Sequence, residues 1–439
     1  MSEDCMYLNL HVPSRCLPRF PWPAKGPGLP ILVFIYGGAF QSGAGLTDAF
    51  GPEYMLTKDN IVITFNYRMN FFGFFSLNTI EIPGNQGFRD MVTLLCWVQR
   101  NACAFGGDPN NVTVMGQGVI LMSCTGFPSY FTTSAEYAKK VSGMFLQELG
   151  INQTDPVLIH RELTKIPLLK IMHANTAVQF NTPIVSFNPV VESPFPGVTT
   201  ILGAQPQNLI AQGRGCEYPL IISYNDNEMA SLRWLIVQKG ALPVVIQDKT
   251  AAVAQRLVYS LPEGQVKEIA KKIDQRYFKG NVTLDSLIRY YTDMIWKHPA
   301  LKVAEWRAAR CCAPTYMYKF SYELGFSPIK AAHWVDYRGA AFLDDLSCVF
   351  RVNSMLGNDM YYPLKNADDA MKNWMVYIIT NFMTCSNPIC NNKALWPSVS
   401  KNKLQYNLIS APMRIHMMEP TNEERDMVRF FDSFDPESR

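Results

Sequence analysis

Long apolar runs, basic blocks and paired metal-ligating cysteines are all missing from this 439-residue chain. The longest apolar stretches, such as Pro30 to Tyr36 and Val376 to Ile379, fall far short of the roughly 20 residues that a membrane span needs. No transmembrane segment is expected. Charge of one sign is scarce as well: 40 Lys and Arg against 37 Asp and Glu leave a formal +3. That balance offers little phosphate-neutralising surface and argues against a nucleic-acid partner. No Cys-x-x-Cys pair occurs, and the adjacent Cys311 and Cys312 make poor zinc geometry; neither a metal nor an organic cofactor is implied. Eleven cysteines are few for a disulfide scaffold, and their odd number leaves at least one thiol over after pairing. The opening residues, Met1-Ser2-Glu3-Asp4-Cys5, have no basic region and no apolar core, so no signal peptide is expected.

What is present is an ordinary globular composition, 48% apolar, which excludes intrinsic disorder. At roughly 100–200 residues per domain the length allows two to four small domains or one large one. Short apolar segments bounded by turn residues predict strands over Met6 to Val12, Pro30 to Tyr36, Asn60 to Asn66, Val112 to Met115 and Pro219 to Tyr224. Helical spacing predicts helices over Gln86 to Asn101, Gln265 to Tyr277, Leu284 to Ala309 and Asp368 to Met383. Strands alternating with helices imply an α/β fold with a mainly parallel sheet covered on both faces. The Pro-rich segment from Pro13 to Pro30 reads as a surface excursion. No clear linker appears, so residues 1–439 are expected to form a single domain. In such sheets, catalytic groups gather at the carboxyl ends of strands.

Three Asn-x-Ser/Thr sequons, at Asn111, Asn152 and Asn281, are candidate glycosylation sites and mild support for a secretory history.

Several segments, in order and spacing, are similar to the type-B carboxylesterase and cholinesterase family. Glu3-Asp4-Cys5-Met6-Tyr7-Leu8-Asn9 resembles the family's Glu-Asp-Cys-Leu-Tyr-Leu-Asn signature. Ile35-Tyr36-Gly37-Gly38-Ala39-Phe40 resembles its oxyanion-loop segment. Asn66-Tyr67-Arg68, Pro83-Gly84-Asn85-Gln86-Gly87, Asp90, Trp97-Val98-Gln99-Arg100-Asn101 and Phe105-Gly106-Gly107-Asp108-Pro109-Asn110-Asn111-Val112-Thr113 follow. Phe50-Gly51-Pro52 and Leu346-Ser347-Cys348-Val349-Phe350-Arg351 resemble the insect branch. The resemblance implies an α/β-hydrolase fold, a Ser–Glu–His triad and a small apolar ester or similar ligand. It also implies an extracellular protein, since family members are mostly secreted; without a leader the chain would be cytoplasmic.

Four parts of that machinery can be sought residue by residue. Gly37 and Gly38 match the oxyanion loop, where glycine lets backbone N–H groups approach a substrate oxygen; a plain Gly-Gly turn is the alternative. Glu228, in Tyr224-Asn225-Asp226-Asn227-Glu228, matches the triad acid, with Met229 where glycine is usual; a solvated loop glutamate is the alternative. Gly118, in Gly116-Gln117-Gly118-Val119, stands where the family has its serine, and no other Gly-x-Ser-x-Gly occurs. Glycine has no atom that can attack a carbonyl. Phe342, in Gly339-Ala340-Ala341-Phe342-Leu343-Asp344-Asp345-Leu346, stands where the family has its histidine. His333 is the nearest substitute base. The remaining histidines, His11, His160, His173, His298 and His416, read as packing or surface residues.

The strand-like run Val119 to Cys124 resembles the family's next strand after the elbow helix. Three residues separate it from the preceding strand, whereas parallel neighbours ordinarily need a crossover of a dozen or more. The elbow helix and loop are therefore read as lost at residues 116–119, which would bare part of one sheet face. A Gly-x-Gly dinucleotide turn is a weak alternative there, because Leu121 occupies the third glycine position. The resemblance further implies that the chain lacks an N-terminal region holding the partner of Cys5. The expectation is a family member without hydrolytic activity, binding a ligand or partner, or else a hydrolase represented by a truncated or alternatively spliced sequence.

Overall fold

In a computed structural model, which describes residues 4–17, 28–116, 120–123, 134–182, 185–334, 336–352 and 366–434, one nine-stranded sheet organises the chain. The strands are β1 (Leu8–His11), β2 (Leu29–Phe34), β3 (Ile61–Phe65), β4 (Gly107–Gly116), β5 (Ile120–Met122), β6 (Leu220–Asn225), β7 (Thr315–Phe320), β8 (Tyr406–Ile409) and β9 (Met417–Met418). Their spatial order is β1-β3-β2-β4-β5-β6-β7-β8-β9. All neighbours from β3 to β8 run parallel. The two edge strands, β1 and β9, are antiparallel to theirs.

The β-branched run in β3, all five residues buried, has no polar face because both sides of the sheet are covered. Alternation in the central strands assigns the two apolar clusters to opposite faces. Ile221, Tyr316 and Tyr318 join one cluster with Phe145, Ile378 and Ile379. Ile222, Tyr224 and Met317 join the other with Ile288, Leu301 and Ala304. The first face is thus covered by the helices Ala135–Leu149 and Asn366–Cys385, the second by Leu284–Thr292 and His298–Arg310.

The helix Gln86–Asn101 has the expected bounds. The long helix expected over 284–309 is two helices joined by a π turn, Asp293–Lys297. Among the described residues two disulfides form, Cys216–Cys311 and Cys385–Cys390. Cys5 is free.

The connection between β4 and β5, residues 117–119, lies outside the described residues. The crossover argument treats parallel neighbours as lying side by side along their length. Here β5 begins where β4 ends, and just two pairs overlap, Met115 with Ile120 and Gly116 with Leu121. The two strands thus lie side by side over a short length, one strand spacing apart, about 4.8 Å. The expected bared sheet face is not found among the described residues. Met115, Ile120, Leu121 and Met122 are all buried.

Candidate active site

The carboxyl ends of β2, β4 and β5 converge on a cavity of about 370 Å³. Its floor comes from the loop after β2. The N–H of Ile35 donates to Met115 O at 2.8 Å, which keeps the chain beside β4 for one more residue. The backbone then turns through three consecutive positive φ values, 141° at Gly38, 54° at Ala39 and 63° at Phe40. A Cβ on Gly38 would lie 1.8 Å from Ser42 O, so no side chain fits. Gly116, at the end of β4, is constrained the same way: its φ is 113° and a Cβ would lie 2.0 Å from Ile35 O. Gly37, Gly38, Ala39 and Gly116 all line the cavity. The N–H groups of Gly37, Gly38 and Ala39 have no intramolecular acceptor among the described residues.

Glu228 sits just past β6 and is completely buried. Its Oε1 accepts from the backbone N–H of Asn225 at 2.7 Å. It is also hydrogen-bonded to the side chain of Ser123, which follows β5, is buried and lines the cavity. The Asn225 side chain donates to Ala341 O at 2.7 Å and to Asp345 Oδ1 at 3.3 Å, tying the end of β6 to the loop that carries Phe342. Asn227 N–H donates to Ala340 O at 2.9 Å in the same seam.

Three carboxyl groups are therefore buried behind the cavity wall, Glu228, Asp344 and Asp345. Burial, reinforced by the neighbouring charge of Asp345, pushes the Glu228 pKa up to about 8. Burial also raises Asp344, to about 6, against hydrogen bonds from Ala341 N–H and the Ser327 hydroxyl. Asp345 is raised by burial as well, although the hydroxyls of Tyr318 and Ser223 donate to it. Burial thus favours the neutral form of Glu228.

Phe342 lines the cavity. Its ring tip lies 4.0 Å from where a Cβ on Gly37 would be, and its ring centre is 5.8 Å from that of Trp296. The backbone of Phe342 donates to Glu228 O at 3.2 Å and its carbonyl accepts from the Ser231 hydroxyl at 3.3 Å. The structure so brings together Gly37, Gly38, Phe342 and, one layer deeper, Glu228. Gly118 lies outside the described residues. His333 does not line the cavity; its ring stacks on Trp234, which does, at 5.3 Å.

Chemically, this arrangement offers amide donors and a serine hydroxyl against an otherwise apolar wall that includes Met122, Leu235, Trp234 and Trp296. Among the described residues Ser123 has the side chains of Asn225 and Glu228 beside it, and no histidine lines the cavity. Ser123 and Lys239 are lining residues that motif reading does not reach. Ser123 could have been found from its position at a strand's carboxyl end; Lys239 carries no such signal. No group of His, Cys, Asp or Glu suited to a metal ion exists among the described residues. No helix among them is long and apolar enough to cross a membrane.

Comparison with known proteins gives a consistent picture. Residues 1–118 and 117–428 match the sequence model of the carboxylesterase family. The juvenile hormone esterase of Heliothis virescens is 42% identical over 458 aligned positions, covering 99% of this chain and 80% of that protein. The alignment is longer than the chain, so the relative holds residues that this chain lacks. The venom carboxylesterase-6 of Apis mellifera is 26% identical, covering 91% of this chain and 74% of that protein. Among solved structures, the juvenile hormone esterase of Manduca sexta with OTFP covalently attached superposes with a TM-score of 0.93. It is 42% identical, covering 99% of this chain and 84% of that one.

Proposed function

The chain belongs to the carboxylesterase family, with an α/β-hydrolase fold, and from that premise we propose that it holds a small apolar ester-like ligand without hydrolysing it. The observation that carries this reading is the Phe342 ring, set against Trp296 and beside Gly37, at the position where the family's motif has its base. Phenylalanine cannot accept a proton. The sequence adds the second deficit, Gly118 in place of serine. Losing the serine or histidine of such a triad lowers turnover by about a millionfold. The cavity itself persists, with the oxyanion-type glycines on its floor and Glu228 behind it. Its apolar wall and size suit a small apolar ester, and two of its relatives are named as juvenile hormone esterases.

Incubation with OTFP, which is attached to the Manduca sexta relative, tests this directly. Intact-protein mass spectrometry is expected to show no adduct, while the cavity still takes up an apolar fluorophore. An adduct on any side chain would end the non-hydrolytic reading.

A second reading has its own support. The family match breaks at residues 117–118, where the elbow belongs. This favours a hydrolase whose message has lost that segment. Phe342 lies far from the break and is not explained by it. Reading the transcript across Gly116 to Val119 separates the two.

We also place the protein outside the cell. Two disulfides call for an oxidising compartment. Asn152 and Asn281 are exposed, and Asn111 partly so, which supports glycosylation there.

A further inference from the structure

Lys239 is the sole ionisable side chain among the described residues that line the cavity. It follows the short helix Arg233–Gln238, and its ammonium donates to Gln179 O, near the end of the helix Leu168–Phe180. An ammonium has three N–H donors, and this bond uses one. Among the described residues it forms no ion pair, and the lowering of its pKa is attributed to burial alone. A half-buried cation without a counter-charge, in a wall otherwise built of rings, aliphatic chains, amides and neutral polar groups, is a costly arrangement that an anion would relieve.

The simpler account is that Lys239 caps the carbonyl end of the helix Leu168–Phe180, where a cation is favoured. That account explains one of the three donors. It does not explain why Lys239 also lines the cavity beside Trp234 and Phe342.

We infer that the cavity selects a long-chain carboxylic acid over its ester, with the Lys239 ammonium holding the carboxylate and the apolar wall holding the tail. This rests on the ligand-binding reading above and names the head group of the ligand. An ester presents no negative charge to Lys239, so the same tail capped as a methyl ester forgoes the charge-assisted hydrogen bond. A protein of this kind would retain the product of ester hydrolysis instead of generating it.

The test compares dodecanoic acid with methyl dodecanoate as displacers of an apolar fluorophore from the cavity, at neutral pH. The natural chain is expected to bind the acid about tenfold more tightly than the ester. Lys239→Gln is expected to erase that preference; Lys239→Arg, which keeps the charge, is expected to retain it. Circular dichroism melting of both variants separates a loss of preference from a loss of fold, and the acid-to-ester ratio is itself insensitive to the fraction folded. Equal binding of acid and ester by the natural chain overturns the inference alone, as does a preference that survives in Lys239→Gln. Binding of neither probe overturns the ligand-binding reading and this inference with it.

Discussion

The backbone N–H of Phe342 donates to the carbonyl oxygen of Glu228 at 3.2 Å. The two positions that the resemblance assigns to base and acid are therefore joined through the main chain, and at the first of them the side chain is a phenylalanine. Because the joint is made by backbone, it survives any substitution at residue 342 that keeps the loop. Position and reactivity are separable here, and restoring one side chain tests how much of each remains.

Phe342→His is accordingly expected to fold, and to leave hydrolysis of a chromogenic acetate ester at the rate of buffer alone. An imidazole beside Glu228 supplies a base, but the family's serine position is occupied by Gly118. Initial-rate measurements on the natural chain and the variant check this. A rate from Phe342→His clearly above that of the natural chain would show that another hydroxyl, Ser123 first among them, can serve.

Glu228 gives the protein a pH-dependent stability whose sign can be worked out. The folded state holds its proton up to about pH 8, whereas the unfolded chain releases it near the ordinary value of 4.5. Between those values the folded state binds the extra proton, so stability falls as pH rises, by up to about 1.4 kcal/mol per pH unit. Below the window the contribution is constant and fully present; above it the loss is complete. Asp344, raised to about 6, acts in the same direction over a narrower range, and Asp345 shares the pocket. Glu228→Gln keeps an oxygen for the Asn225 N–H and cannot ionise. Urea unfolding from pH 5 to 9 should show the natural chain declining and the variant flattening above pH 6. Parallel slopes would mean that Glu228 is not held neutral.

The parts of this molecule that were legible in sequence are those whose signal is local. The β3 run and the periodic helix Gln86–Asn101 each bury a pattern that stands out from its neighbours, and the oxyanion-type glycines follow a strand. β7, Thr315–Phe320, was not read because Tyr316, Tyr318 and Lys319 make it look amphipathic, although the hydroxyl of Tyr318 is satisfied in the core by Asp345. β8 and β9 are too short to show alternation. The short β4–β5 connection stands out in sequence because parallel neighbours ordinarily need a longer one, and the family match breaks at the same place, residues 117–118. Lys239 is invisible for a different reason: what makes it notable is the apolar cavity around it, assembled from segments far apart in the chain.

Gly37 and Gly38, adjacent in sequence, are expected to respond oppositely to alanine. A Cβ at Gly38 meets the Ser42 backbone oxygen at 1.8 Å on a backbone with φ of 141°. The obstructing atom is main chain and cannot swing away. Gly38→Ala should cost about 3 kcal/mol or more, or prevent folding. At Gly37 the nearest atom is the Phe342 ring tip at 4.0 Å, an ordinary contact, and Gly37→Ala should stay within about 1 kcal/mol of the natural chain. Chemical denaturation of the pair checks this, and equal effects would contradict the loop geometry.

The two disulfides should contribute unequally. Cys216–Cys311 closes a segment of 95 residues, running from before β6 through the helix His298–Arg310 to the start of β7. Cys385–Cys390 closes a separation of 5. A cross-link stabilises chiefly by removing conformations from the unfolded chain, and the number removed grows with the loop. The long bridge is expected to be worth about 4 kcal/mol and the short one markedly less. The long bridge also stands between two parallel neighbours, β6 and β7, whose pairing begins at Leu220 with Thr315. Without it, that register must be found across the whole intervening helical region. Paired serine substitutions at each bridge, compared by denaturation midpoint and by refolding rate, should show Cys216→Ser with Cys311→Ser lowering both, and Cys385→Ser with Cys390→Ser lowering the midpoint slightly and the refolding rate not at all. A larger loss from the short bridge would indicate that local packing at 385–390, not chain entropy, sets what these bonds contribute.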